Sequence, residues 1–298
     1  MATLTILKLI EQYGDTRDVS DSCFGMKKIS LQYFERFLER PATLKDFEES
    51  ILSKWITWLK SSRSTWTDRK LSARSVKNYR CEMITLWRFA VEMEHIKTPP
   101  QHFKIKKVKV PPPNPSAWDA GQLRELLAAI GKTDGVVGNG LPRRMYFATL
   151  MRVAYQTGLR RGDLLAVSMA DVDQATGTVS VVMNKTNQVH VCRINDEALA
   201  DLVDLHETLK MLGDPNAETP LAWPGHLHNF YYWLRKICAA AGVPYGALQH
   251  MRRTSATLTE IAAPGTASRL LGHMTPGLAN TYYIDRSKLP TIAPPSVI

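Results

Sequence analysis

The sequence predicts a mainly α-helical protein of two domains, with one small antiparallel sheet inside the second. Three observations carry this. Apolar residues recur at three- and four-residue spacing over most of the chain. One stretch, 179–194, instead alternates apolar and polar residues around a polar turn. Six prolines fall within residues 97–118, where the helical pattern breaks. The expected division is a helical domain over 1–96, a basic proline-rich linker over 97–117, and a larger domain over 118–298.

In the first domain, Leu4, Leu7 and Ile10 place a helix over 3–13. Ile29, Leu31, Tyr33, Phe34 and Leu38 place a second over 26–39. Thr43 can cap a turn leading to Phe47, Ile51, Trp55 and Leu59. Ser72 or Ser75 opens a helix over 73–94, with Val76, Tyr79, Met83, Trp87, Ala90 and Val91 along one face. Its other face carries Arg74, Lys77, Arg80 and Arg88. An apolar stripe opposite a basic one describes a helix packed on a core and turned toward phosphates. Lys104, Lys106, Lys107 and Lys109 follow between the proline clusters, and an extended linker would lay them along a nucleic-acid backbone. A solvated edge strand is the competing account of these lysines.

In the second domain, Asp119 can cap a helix through Leu123, Leu126 and Leu127. A glycine-rich loop over 132–141 precedes a helix over 142–156. Strands over 179–183 and 189–194 flank Asn184-Lys185-Thr186-Asn187-Gln188, and helices are expected over 195–211, 226–241, 247–259, 265–271 and 277–286.

Charge narrows the partner. The net charge is +10, and residues 60–110 alone carry 13 Lys/Arg against 4 Asp/Glu, a net +9. An excess focused in one stretch suggests a polyanion, with phosphate the natural candidate. No apolar run approaches the length of a membrane span, and the first residues lack the features of a signal peptide, so an intracellular, cytoplasmic (nucleoid-associated) protein is expected. Cys23, Cys81, Cys192 and Cys238 stand far apart, which suits buried, reduced thiols.

The chemistry concentrates in the second domain. Arg160 follows Gly158-Leu159 at a turn, with Asp163 three residues on. A guanidinium binds two phosphate oxygens at once and stays charged throughout a reaction. Lys185 sits on the hairpin turn. His250 and Arg253 stand at i and i+3 and share a helix face. His273 follows Leu271-Gly272, and Tyr282 comes nine residues later, with Tyr283 beside it.

This set, in this order, resembles the tyrosine recombinase (phage integrase) family. The resemblance is by residue in the second domain and only by size, charge and helicity in the first. It implies a core-type DNA-binding domain joined to a catalytic domain as a C-shaped clamp on DNA. It also implies a site-specific recombinase that cuts and rejoins strands through a 3′-phosphotyrosine bond. Arg160 and Arg253 would clamp the phosphate and Asp163 would orient an arginine. Lys185 would protonate the leaving 5′ oxygen, His250 would help move the tyrosine proton, and His273 would hydrogen-bond the phosphate. Tyr282, at the family spacing, would attack phosphorus. Of two adjacent residues on a helix only one faces the site, so Tyr283 would pack nearby and Arg252 would point elsewhere.

The partners so implied are double-stranded DNA with core-type sites and further copies of the chain, two per core site and four in the synapse. Accessory DNA-bending or directionality proteins belong to the same expectation. The apolar tail, 284–298, would dock on a neighbouring protomer. With few residues before the helical domain, a simpler recombinase without an arm-binding domain is expected. No metal or other cofactor is expected, since a phosphotyrosine ester conserves the energy of the broken linkage. The competing functions are a type IB topoisomerase-like enzyme, a non-cleaving DNA-binding protein of the same fold, and a metal-dependent nuclease or transposase. The last would need clustered carboxylates, and here they are scattered.

Overall fold

A computed structural model describes residues 4–138, 140–273, 275 and 277–290. The chain divides into two compact units, Met1–Pro112 and Pro113–Ile298.

The first unit is built from α1 (Ile6–Thr16), α2 (Asp21–Leu38), α3 (Glu49–Ser61) and α4 (Ala73–Glu92). Each start has a local cause. The side chains of Thr5, Ser20 and Ser72 accept from the backbone N–H groups of Lys8, Cys23 and Ser75, giving those donors partners that the helix cannot. Ser20 explains why α2 begins five residues before its apolar pattern does. Thr43 forms a capping box with Asp46 on a single 3-10 turn before α3. The core gathers Leu9, Ile10, Phe34, Trp55, Leu59, Met83 and Trp87. Lys27 of α2 is buried in it and donates to Glu82 of α4 at 2.7 Å.

Part of the segment expected as an extended linker packs on this unit. Ile105 is buried in the core, the Trp87 indole N–H donates to the Thr98 carbonyl at 2.9 Å, and Ser53 bonds the backbone of Lys104 and Lys106. Arg80, expected to face phosphates, turns onto the same segment. It donates to the carbonyls of Lys106, Ile105 and His102 at 3.0, 3.4 and 3.5 Å. The reason lies in the backbone: residues 98–108 form no helix or strand, so their carbonyls need outside donors. Arg74, Lys77, Arg88, Lys104, Lys106, Lys107 and Lys109 remain exposed.

The second unit opens with α5 (Ala120–Gly131), capped by Asp119 and Gln122. The expected glycine-rich loop contains a two-strand ribbon, β1 (Val136–Val137) and β2 (Leu141–Pro142), before α6 (Arg143–Thr157). A short helix, α7 (Arg161–Leu165), comes next. Beyond it lie β3 (Val172–Asp173), β4 (Thr178–Met183) and β5 (Gln188–Arg193), an antiparallel sheet in the order β3-β4-β5 with Val181 opposite His190 and Met183 opposite Gln188. The remaining helices are α8 (Asp196–Met211), α9 (Leu227–Ala240), α10 (Leu248–Ala262), α11 (Ala267–Leu270) and α12 (Gly277–Tyr282).

Helix α6 is the spine of this unit. Tyr146, Phe147, Leu150, Met151, Val153 and Ala154 are all buried on it, among residues of α5, α8, α9 and the sheet. Helix α10 buries polar side chains as well: Arg252, Thr254, Ser255 and Thr257 are each at most 1% exposed. Buried polar groups are costly unless paired, so this face marks the helix as more than scaffold.

The four cysteines are unpaired, with Cys238 buried and Cys81 exposed. Among the described residues, no helix is long and apolar enough to cross a membrane. Ile292, Pro294, Pro295, Val297 and Ile298 of the expected docking tail lie outside the described residues, whereas Ile284 and Leu289 pack within their own unit.

Candidate active site

Helix α6 ends at Gly158, whose left-handed backbone (φ 57°) would strain any residue with a Cβ. The chain turns there and delivers Arg160 to the start of α7. Arg160 Nη1 lies 3.3 Å from Met183 Sδ on β4 and 3.9 Å from Asp163 Oδ2, beyond hydrogen-bond range. The other oxygen of Asp163 accepts the N–H of Asn184 at 2.9 Å. Asp163 therefore holds the β4–β5 turn beside Arg160, and Lys185 sits exposed on that turn. Arg161 points away and donates to the Tyr231 hydroxyl at 2.6 Å.

Helix α10 contributes the second cation. Arg252 is buried and donates to the carbonyls of Gly158 and Leu271, the latter at 3.0 Å. Its Nη2 lies 3.1 Å from His273 Nε2, and its guanidinium carbon 5.0 Å from the centre of the Tyr283 ring. One side chain thus touches the turn before Arg160, the turn before His273, His273 itself and a tyrosine. Burial, with the charge of Arg160, pushes the Arg252 guanidinium down to about 10, and it is still a cation at neutral pH.

His273 stacks at a tilt on Tyr283, ring centres 4.9 Å apart. Burial, then the charges of Arg252 and Arg160, push its imidazole down to about 4, so it is neutral near pH 7. For Tyr283, burial disfavours the phenolate. The charge of Arg252, hydrogen bonds with Gln249 and Arg252, and the charge of Arg160 outweigh it and hold the phenol below its ordinary value.

The structure places the expected residues unevenly. Arg160, Asp163 and His273 lie in one cluster around Arg252. Arg253 does not join Arg160: it is half-buried beside His250, and its neighbour Arg252 occupies the inner position. The physical reason is helical phase. Arg252 shares the inward face of α10 with Leu248 and Ser255, whereas Arg253 lies about 100° and His250 about 160° round the helix from it. His250 packs on Trp118, ring centres 4.5 Å apart, and burial with the Arg253 charge pushes it down to about 4. Tyr282 is 41% exposed at the end of α12, and Tyr283 is the tyrosine turned inward.

Two further residues escaped the sequence reading. Gln249, three residues before Arg252, bonds Tyr283. His190 of β5 is buried, with Nε2 unpartnered, and feels the charges of Arg252 and Arg160. The available signal was alternation: along β5, Val189 and Val191 are exposed and the histidine between them points in. Gly272 (φ 61°) lies directly over it, since a Cβ there would stand 2.7 Å from His190 Nδ1.

The result is two buried or half-buried guanidiniums, neutral histidines and a phenol held below its ordinary value, with an exposed lysine on an adjoining turn. This arrangement can bind an anionic tetrahedral centre and attack it.

Residues 5–108 match the phage integrase SAM-like domain, and residues 119–288 match the phage integrase family. The chain also superposes on a lambda integrase (residues 75–356) dimer bound to a COC′ core site. The TM-score is 0.70 at 19% identity, over 98% of this chain and 100% of that one. The integrase of the Tn1549 transposon, in complex with a circular intermediate DNA, gives 0.69 at 15% identity over 94% and 95% of the two chains. XerH recombinase bound to its difH substrate gives 0.66 at 16% identity over 93% and 81%. Likenesses at these identities are likenesses of fold. No curated protein sequence matches the chain. With matches on both sides of the proline-rich segment, and one of them spanning more than half of its length, the chain belongs to the phage integrase family.

Proposed function

We propose that this protein is a site-specific DNA recombinase, an integrase that cuts and rejoins strands through a covalent 3′-phosphotyrosine intermediate. The observation that carries the reading is the convergence of Arg160, Arg252 and His273 on the phenol of Tyr283. Arg160 and Arg252 clamp the scissile phosphate and stabilise the charge that builds up on its oxygens. The Tyr283 oxygen bonds to phosphorus as the bond from phosphorus to the 5′ oxygen breaks. Neutral His273 is a base beside the phenol and a hydrogen-bonding partner for the phosphate. Lys185, on the turn tied to Asp163, gives the leaving oxygen its proton. Gln249 stands three residues before Arg252, where the family's His-x-x-Arg box would have its histidine, and orients the phenol without taking its proton. Relative to the sequence expectation, the second arginine and the nucleophile each shift by one residue, from Arg253 to Arg252 and from Tyr282 to Tyr283.

The exposed Arg74, Lys77 and Arg88, with the lysines of 104–109, supply a basic face for duplex DNA. The lambda integrase and XerH structures hold DNA, and one lambda integrase structure is a tetramer on a Holliday junction. By analogy this chain works on double-stranded DNA as an assembly of copies, with accessory DNA-bending proteins as further partners.

The test is incubation with nicked suicide DNA carrying the cognate core site. A denaturant-resistant protein–DNA band that is lost in Tyr283→Phe supports the reading. Unaltered protein that binds the site tightly yet forms no adduct would favour a non-cleaving DNA-binding role.

A further inference from the structure

Tyr283 is the first residue beyond α12, so helical hydrogen bonding alone does not fix the chain past that point. The next two residues do. Ile284 is buried among Ala256, Ala267, Leu271 and Ala279. The Asp285 N–H donates to Thr257 Oγ1 at 2.9 Å, and that hydroxyl in turn lies 3.5 Å from the Tyr283 carbonyl it donates to.

The Asp285 side chain is 6% exposed, an expensive place for a carboxylate. Its oxygens are committed. Oδ2 accepts the N–H of Ala117 at 3.0 Å, and Oδ1 accepts the N–H and the hydroxyl of Ser287 at 3.1 and 2.6 Å. Nearer solvent, Lys288 Nζ reaches Asp119 Oδ2 at 3.0 Å. The segment so gripped is itself fastened to α10: the Trp118 N–H donates to Thr254 Oγ1 at 2.9 Å, and the Trp118 ring packs on His250. A closed circuit results. It runs from Tyr283 through Asp285 to Ala117 and Trp118, then through Thr254 along α10 to Arg252, which faces Tyr283 again.

We propose that Asp285 is a positioning residue that holds the Tyr283 phenol in register with the Arg252 guanidinium of the same chain. The inference rests on Tyr283 being the nucleophile. Asp285 touches no reacting atom. It acts by fixing the backbone two residues beyond the phenol, and a displacement of about 1 Å at a reacting group costs on the order of 100-fold in rate.

The experiment measures adduct formation on suicide DNA at saturating concentration, and DNA binding separately, for the unaltered protein, Asp285→Ala, Asp285→Asn and Lys288→Met. Asp285→Ala should lower the first-order rate of adduct formation about 10- to 100-fold, with half-saturating DNA moving less than about threefold. Asp285→Asn should recover part of the rate, because an amide oxygen still accepts from Ala117. Lys288→Met weakens the same strap from its solvent side and should lower the rate about two- to fivefold, which keeps the test open if Asp285→Ala folds poorly. Hydrogen exchange at the amides of Ala117 and Asp285 should quicken in Asp285→Ala. Adduct rates equal to the unaltered protein in both Asp285→Ala and Lys288→Met would overturn the proposal, as would a loss confined to DNA affinity. If the unaltered protein forms no adduct at all, the reading of Tyr283 fails instead. The exchange measurement then decides on the strap by itself, and unchanged protection would overturn it.

Discussion

Nη2 of Arg252 lies 3.1 Å from Nε2 of His273, which makes Arg252 and not Arg253 the arginine of the inner cluster. Removing it strands a buried site without its cation and leaves the carbonyl of Leu271 without its donor. Arg252→Ala should lower adduct formation by about 100-fold or more, and should also lower the melting temperature. Arg253→Ala should cost less than about tenfold in the same assay. An Arg253→Ala variant as inactive as Arg252→Ala would return the second clamp position to Arg253.

The two tyrosines separate in the same way. Tyr283→Phe should abolish the covalent adduct while leaving DNA binding within about twofold, since the lost hydroxyl is the proposed nucleophile. Tyr282→Phe should keep the adduct, because Tyr282 is 41% exposed. Peptide mapping of the trapped adduct gives an independent reading of which phenol carries the DNA.

Stability should fall on acidification through a defined window. His250 and His273 are both pushed down to about 4, chiefly by burial, from an unfolded value of 6.5. Between those values the unfolded chain binds protons that the folded one refuses, so acid favours unfolding. The melting temperature should be level above about pH 7, drop as the pH falls through 6.5, and flatten in this respect near pH 4. Asp46, Asp119 and Asp285, held below 3.8, add their losses only at still lower pH. In His250→Leu the slope between pH 6.5 and 5 should shrink. A melting temperature independent of pH across that range would contradict the burial argument.

Gly272 links the sheet to the site. Its φ of 61° and the 2.7 Å approach that a Cβ would make to His190 Nδ1 leave no room for alanine. Gly272→Ala should destabilise the protein by about 1–3 kcal/mol and slow adduct formation by displacing His273. Trimming the partner, as in Gly272→Ala with His190→Ala, should recover part of the stability, which a denaturant titration of both variants would measure.

The basic residues of the first unit divide into two kinds. Arg74 and Lys77 are exposed, and each Ala substitution should reduce the slope of log affinity against log salt by about 0.9. Arg80 instead holds the carbonyls of residues 102, 105 and 106. Arg80→Ala should cost stability, about 1 kcal/mol, with a smaller change in salt slope. Salt titrations of binding, set beside thermal melts, distinguish the two.

Sequence alone determined what is local. Apolar spacing located the long helices, because a helix repeats every 3.6 residues whatever it packs against. Alternation located β4 and β5, serine, threonine and aspartate marked helix starts, and the charge count found the basic stretch. The residue types for phosphotransfer, and the neighbourhoods in which they stand, were also legible: Arg160 with Asp163, Lys185 on its turn, the α10 arginine pair, and His273 before its tyrosines. Tertiary structure alone decided which member of each adjacent pair faces inward. Residues one apart on a helix differ by about 100°, and only the packing of α10 against α6 and α11 says which side is the inside. That packing buries Arg252 and leaves Arg253 beside His250; the burial of Ile284 likewise turns Tyr283 inward and Tyr282 out. The same holds for Arg80 and the proline-rich segment. A local charge pattern reads as a surface for phosphate until long-range folding brings unpaired carbonyls within reach of the guanidinium.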